Sequence, residues 1–161
     1  MYVARLMYFP AANSSMLTSA SYGRSVDLPF VHHVTLTVSD VRRSADFYQS
    51  LFGPADVADR QGPGWTRLRL LWPNGLMIGV TRFEAEAVRF DPSRVGLDHV
   101  GFGVESADAV YGWVRRMDEL GIEHGPVEDV PHAVVVTGRD PDRVLLAAGH
   151  MNRRGIARST R

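Results

Sequence analysis

The chain contains no cysteine and no lysine. The first absence excludes disulfides, thiolate metal sites and cysteine nucleophiles, and it suits a cytoplasmic location. The second excludes a Schiff-base or other catalytic lysine. An excess of charge is missing too, since 18 basic residues, every one an arginine, face 18 acidic ones. Such a balance leaves no electrostatic footprint for nucleic acid or an anionic membrane. No apolar run approaches the roughly 18–20 residues that a membrane span needs. A nucleophile elbow, a P-loop and an HExxH pair are absent as well. GFGVES (101–106) has too few glycines in frame for a dinucleotide-binding turn. What remains is 161 residues with 45% hydrophobic content, enough for one compact domain with a real core.

Within that domain a phrase occurs twice. VHHVTLTVSD (31–40) and DHVGFGVES (98–106) each place a histidine before an alternating apolar run that ends in a small polar or acidic turn. Aligning His33 with His99 sets a period of 66 residues (99 − 33). VRRSADFYQSLFG (41–53) and ADAVYGWVRRMDELG (107–121) then follow as two amphipathic helix patterns, each closed by glycine. A repeat of this length marks a duplicated supersecondary unit, with the two histidines in equivalent places.

Strand parity separates two faces in each copy, because alternate residues of a strand point to opposite sides. His33, Thr35 and Thr37 share one face, and Val34, Leu36 and Val38 make an apolar row on the other. In the second copy His99, Gly101 and Gly103 oppose Val100, Phe102 and Val104. The greasy face suits packing against a helix, and the small, polar, His-bearing face suits a cavity lining. Shorter strands follow at about 55–60, 65–72 and 76–82 in the first half, and at about 123–129, 132–137 and 143–149 in the second. Pro-Asn-Gly and GRDPD supply turns before the last strand of each half. The expected organisation is an extension at 1–29, partly flexible, with a chance that MYVARLMYF pairs as an extra strand. One domain then covers 30–149 (module one 30–83, linker 84–96, module two 97–149), and an Arg-rich tail covers 150–161.

Two βαβββ units, a histidine opening the first strand of each, LFG after the first helix and DPD before the final strand resemble the vicinal oxygen chelate superfamily. That group includes glyoxalase I, extradiol dioxygenases, fosfomycin-resistance enzymes and bleomycin-resistance binding proteins. The resemblance spans about residues 30–149. It implies an α+β fold in which two tandem βαβββ modules form a cup-shaped, barrel-like mixed sheet. It also implies metal ligands from the first and last strands of each module. His33 and His99 match the first-strand positions. The last-strand positions, usually glutamate, are Gly79 and Ala147, neither of which can ligate, and Arg143-Val144 replaces the usual Gly-Asn after DPD.

Two imidazoles alone do not make a competent divalent site, because catalytic zinc takes three protein ligands and non-haem iron commonly two His and a carboxylate. A third ligand would have to come from His132, or less directly from Glu123 or His150; His150 has the opposite parity to Ala147 and should point away. His32 falls on the helix-packing face, and His124 reads as a surface loop residue. Thr35, Arg67, Arg69, Met77, Gly79, Gly101 and Ala147 are expected to line the pocket. Arg67 and Arg69 would offer guanidinium donors to an anionic or carbonyl-rich ligand, or else stand as exposed arginines at a sheet edge. The losses at 79 and 147 are expected to open volume for a larger ligand.

Three functions stay open on these residues. One is a binder or enzyme for a small organic molecule, with no tightly bound metal and with His33, His99 and His132 as candidate catalytic groups. Another is a lyase, isomerase or dioxygenase that uses one Fe, Mn, Ni or Zn ion on His33, His99 and an unusual third ligand. The last is a non-enzymatic subunit with a vestigial cup. Free strand edges suggest a homodimer.

Overall fold

Alternation in the strands and 3.6-residue periodicity in the helices build the same unit twice. The computed structural model describes residues 31–85 and 88–152. Module one runs β1 (Val34–Thr37), α1 (Val41–Phe52), β2 (Asp56–Gly62), β3 (Trp65–Leu71) and β4 (Met77–Phe83). Module two runs β5 (His99–Gly103), α2 (Ala107–Glu119), β6 (Glu128–Val130), β7 (Ala133–Arg139) and β8 (Leu145–Met151). The sheet orders are β1-β4-β3-β2 and β5-β8-β7-β6, with β1 parallel to β4, β5 parallel to β8 and the other pairs antiparallel. The architecture is α+β, and the sheets remain two four-stranded sheets rather than closing into a barrel. The extension at 1–29 and nearly all of the Arg-rich tail lie outside the described residues.

Local chemistry fixes the helix ends. The Asp40 carboxylate accepts from the backbone N–H groups of Arg42 and Arg43 at 2.9 and 3.1 Å, which holds its carboxyl below the usual range. Ser106 caps α2 through the N–H of Ala109 at 3.1 Å. Gly53 ends α1 at φ +89°, a conformation that glycine adopts without steric cost.

Two strands begin clearly later than the sequence expectation. The stretch expected at 123–129 pairs regularly only over Glu128–Val130, with one bridge from His124 to Gly138. Pro126 lacks the N–H that a continuous ladder would need. The last strand starts at Leu145, not 143, because Arg143 sits at φ +70° inside the preceding turn.

That turn joins the modules. Asp140 is buried, and its Oδ1 accepts from the N–H groups of Asp142 and Val144 at 3.0 and 2.8 Å. Its Oδ2 accepts from the hydroxyl of Tyr48, a fully buried residue of α1, at 3.0 Å. Nearby, Ser39 N–H donates to Asp142 Oδ2 at 3.0 Å. Burial raises the Asp140 carboxyl above its ordinary range against the pull of these donors, and burial together with Asp140 pushes the Tyr48 hydroxyl upward.

The core falls into two clusters, one under each sheet, and the first of them draws residues from both modules. Leu36, Leu70, Ile78 and Val80 of module one pack with Val144 and Leu146 of module two. Phe52 lies against Phe102 and Trp113 at centroid separations of 5.1 and 5.4 Å, and Arg116 of α2 donates to the carbonyl of Ser50 at 2.7 Å.

Tyr48→Phe removes one donor from a buried carboxylate. It should cost about 1–3 kcal/mol in urea unfolding at neutral pH. Because the folded Asp140 carboxyl already lies above its unfolded value, its ionised form is the disfavoured one. The loss should therefore shrink as pH falls into the carboxylate range and Asp140 takes up a proton. A loss independent of pH would exclude Asp140 as the partner that matters.

Candidate functional site

Residues paired directly across strands share a face, so the register assembles the helix-free surface of each sheet row by row. In module one a first row runs Thr35, Gly79, Arg69, Ala58, and a second runs Thr37, Thr81, Arg67, Arg60. Met77 lies one row beyond Gly79, opposite Leu71. In module two the matching rows are His99, Leu145, Arg139 and Gly101, Ala147, Thr137.

His33 immediately precedes β1, is exposed, and has its Nδ1 3.0 Å from Nδ1 of His32. His32 is exposed as well and does not pack beneath the helix. His99 opens β5, and its Nδ1 stands 2.5 Å from Oδ1 of Asp98. Each histidine is thus bonded to its own sequence neighbour.

His132 is not brought to them. It occupies the turn before β7, and its carbonyl accepts from the N–H of Asn152, whereas the β7 residue level with His99 is Arg139 at the far end of that strand. By parity it also belongs with Val134 and Val136, on the helix side. Glu123 pairs with Arg143 at 3.2 Å, and His150 meets the carbonyl of Val104 at 3.1 Å on the helix side. His124 is half-buried rather than a free loop residue. Asp118 and the Gly125 carbonyl hold it, at 3.0 and 2.8 Å, and raise its pKa above 6.5.

The two rows that would carry the superfamily's carboxylates carry none. Gly79 lies between Thr35 and Arg69, and Ala147 between Gly101 and Thr137. Among the described residues no group of three or more His, Asp or Glu side chains could share a metal ion. This donor set, with a guanidinium beside position 79, does not fit a divalent cation.

The expected extra volume at position 79 is not open. A Cβ there would lie 2.7 Å from Oγ1 of Thr35, so the neighbouring strand already fills the space. Open space lies beside β5, where a Cβ at Gly103 meets nothing within 4 Å, and in a groove of about 310 Å³ along β1. That groove is lined by Thr35, Thr37, Phe90, Arg94, Leu97 and Val144, among others.

The linker's part in this groove escaped the sequence reading. The available signal was the apolar Phe90 and Val95 within the linker and Leu97 just after it. Arg60 and Asp56 also escaped it; carrying the parity of β3 across its hairpin to β2 would have found both.

The arginines are held in defined positions. Arg67 donates from Nε to Oγ1 of buried Thr81 at 2.6 Å, and its guanidinium lies 5.3 Å from the centroid of the Trp65 ring. Trp65 in turn lies flat over Gly62, where a Cβ would stand 2.6 Å from the indole nitrogen. Arg69 pairs with Asp56 at 3.0 Å, yet its Nε is buried with no hydrogen-bond partner among the described residues.

The family model of the Glyoxalase/Bleomycin resistance protein/Dioxygenase superfamily matches residues 30–148. The chain belongs to that superfamily. Among solved structures, a glyoxylase/bleomycin resistance protein/dioxygenase domain from Frankia sp. EAN1pec is similar at 27% identity and a TM-score of 0.74, over 79% of this chain and 95% of its own. A glyoxalase family protein from Enterococcus faecalis is 25% identical with a TM-score of 0.61, over 74% and 96%. The fosfomycin resistance protein FosX from Listeria monocytogenes shares the fold at 19% identity and a TM-score of 0.62, over 82% and 99%. No curated protein matches the chain.

The tight contact at Gly79 makes the register testable. Gly79→Ala should destabilise the protein by about 1–3 kcal/mol through overpacking. Thr35→Ala in the same chain should recover most of that loss in a double-mutant cycle. Additive effects would show that Thr35 does not occupy the space beside position 79.

Proposed function

We propose that this member of the superfamily binds or transforms a small organic compound in its cup without a conventional metal site. The observation that carries the reading is the register, which sets Arg69 and Thr35 beside Gly79, and Gly101 and Thr137 beside Ala147. A divalent cation there would meet a guanidinium where it needs an anion. As a binder, the protein would sequester its ligand over the helix-free faces.

As an enzyme it would use His99 and His33 in proton transfer. With Nδ1–H donated to Asp98, the neutral ring of His99 presents Nε2 as the acceptor, and the side chain is 44% exposed, within reach of a ligand. Asp98 would fix the ring orientation and tautomer. His33 shares one hydrogen between its Nδ1 and that of His32, which leaves its own Nε2 available.

The test is elemental analysis of protein purified without chelator, together with thermal shifts against a library of small aromatic and polar organic compounds. Substoichiometric Fe, Mn, Ni and Zn is expected, with ligand-induced rises in Tm. Stoichiometric metal that disappears in a His33→Ala/His99→Ala double variant would overturn the metal-free reading.

The same free edges support a second copy as partner. β1, β2, β5 and β6 each pair on one side only among the described residues, and Val57 and Phe83 are exposed on module one. A closed two-fold dimer is the expected assembly. Light scattering at micromolar concentration should give twice the chain mass; a monomer mass would count against it.

A further inference from the structure

We infer that the helix-free face of module one is an oxyanion site that takes a doubly charged small organic ligand. The inference rests on the cup reading above and names its ligand class. Three arginines occupy this face in adjoining rows: Arg69 in one, and Arg60 with Arg67 directly opposite each other in the next. Like charges directly across a strand pair repel, so this pairing is unfavourable in the free protein. One carboxylate, Asp56, is paired among them, to Arg69, and it is largely exposed. Among the described residues no carboxylate pairs with Arg60 or Arg67.

Among the described residues the three arginines and Asp56 leave this face about two positive charges in excess. Arg67 is set for recognition. Thr81 takes its Nε, its guanidinium lies over the Trp65 ring, and neither Nη group has a hydrogen-bond partner among the described residues. A guanidinium held this way offers parallel donors that match two oxygens of one anion. The second observation is the Nε of Arg69, which is buried and has no acceptor among the described residues, in the row where Gly79 contributes no side chain. A buried donor left unpaired is costly, and an oxygen from a ligand would satisfy it. Excess charge, a locked fork and an orphan donor meet on one surface. A phosphoryl group or a pair of carboxylates supplies the charge and the oxygens they call for.

Calorimetric titration of the full chain at low ionic strength, with inorganic phosphate, phthalate, acetate and benzamide, tests this. Either dianion should bind at least tenfold more tightly than acetate, and affinity should fall as sodium chloride is added. Tighter binding of phosphate identifies a phosphoryl ligand, and tighter binding of phthalate a dicarboxylate. Arg67→Met should weaken the dianion at least tenfold, and Asp56→Asn should strengthen it several-fold by removing the competing carboxylate. Arg60→Met should weaken binding while raising the Tm of the free protein, which a purely structural arginine would not do. If Arg67→Met does not fold, Arg67→Lys keeps the charge but not the fork and should lose at least fivefold.

Equal dianion affinity in wild type and the Arg67 variants, or dianions no tighter than acetate, would overturn the proposal. Neutral compounds that bind the cup equally in wild type and Arg67→Met, with no dianion binding, would do the same while leaving the wider cup reading intact. Failure of that wider reading has its own signature, stoichiometric metal on the histidines.

Discussion

Asp140 stands where the two modules meet, and much of the architecture is arranged around keeping its carboxylate supplied with donors. One oxygen organises the turn between β7 and β8, and the other takes the Tyr48 hydroxyl from the helix of the opposite module. Burying an ionised carboxylate is costly unless it is well bonded, so the turn, α1 and the start of β8 are tied to one geometry. That geometry sets Val144 and Leu146 into the core of module one, and it fixes where the end of β1 lies relative to the turn through the Ser39–Asp142 bond. The helix-free faces of both sheets inherit their placement from this junction.

The helix-free face of module one carries three arginines, Arg60, Arg67 and Arg69, in adjoining rows. A cup that takes a divalent cation needs anionic oxygens converging on it. Here the rows offer guanidinium groups, hydroxyls and bare backbone. Gly79 and Arg69 face each other, so a position without a side chain adjoins a guanidinium. Thr35 fills the space that a side chain at 79 would have used.

The duplicated unit, both helices to within a residue, the separation of strand faces and the superfamily were legible in the sequence, because periodicity and turn chemistry are local. The lateral register was not. Parity says that Arg67 and Arg69 share a face, but only the pairing shows that Arg67 faces Arg60 across one strand and Thr81 across the other. For the same reason Gly79 read as lost volume until Thr35 was seen beside it. His132 illustrates the opposite limit. It lies just before a strand, as His33 does, but at the wrong end and parity, and a strand start identified from sequence does not say which end of the sheet it occupies. Pro126 and the positive φ of Arg143 trimmed two strands for reasons of backbone chemistry that hydrophobic patterning ignores.

The shared core also bears on how the protein is made. Every strand of module one has left the ribosome once Phe83 emerges, and its own sheet can then pair. Its helix-side core, however, includes Val144 and Leu146, which are synthesised about sixty residues later. Until they arrive, Leu36, Ile78 and Val80 lack part of their apolar cover. The module-one core is therefore complete only when the last strand of the second half is present. Duplication gave this protein two copies of one unit, but the halves have become a single folding unit whose completion is decided near its C-terminal end.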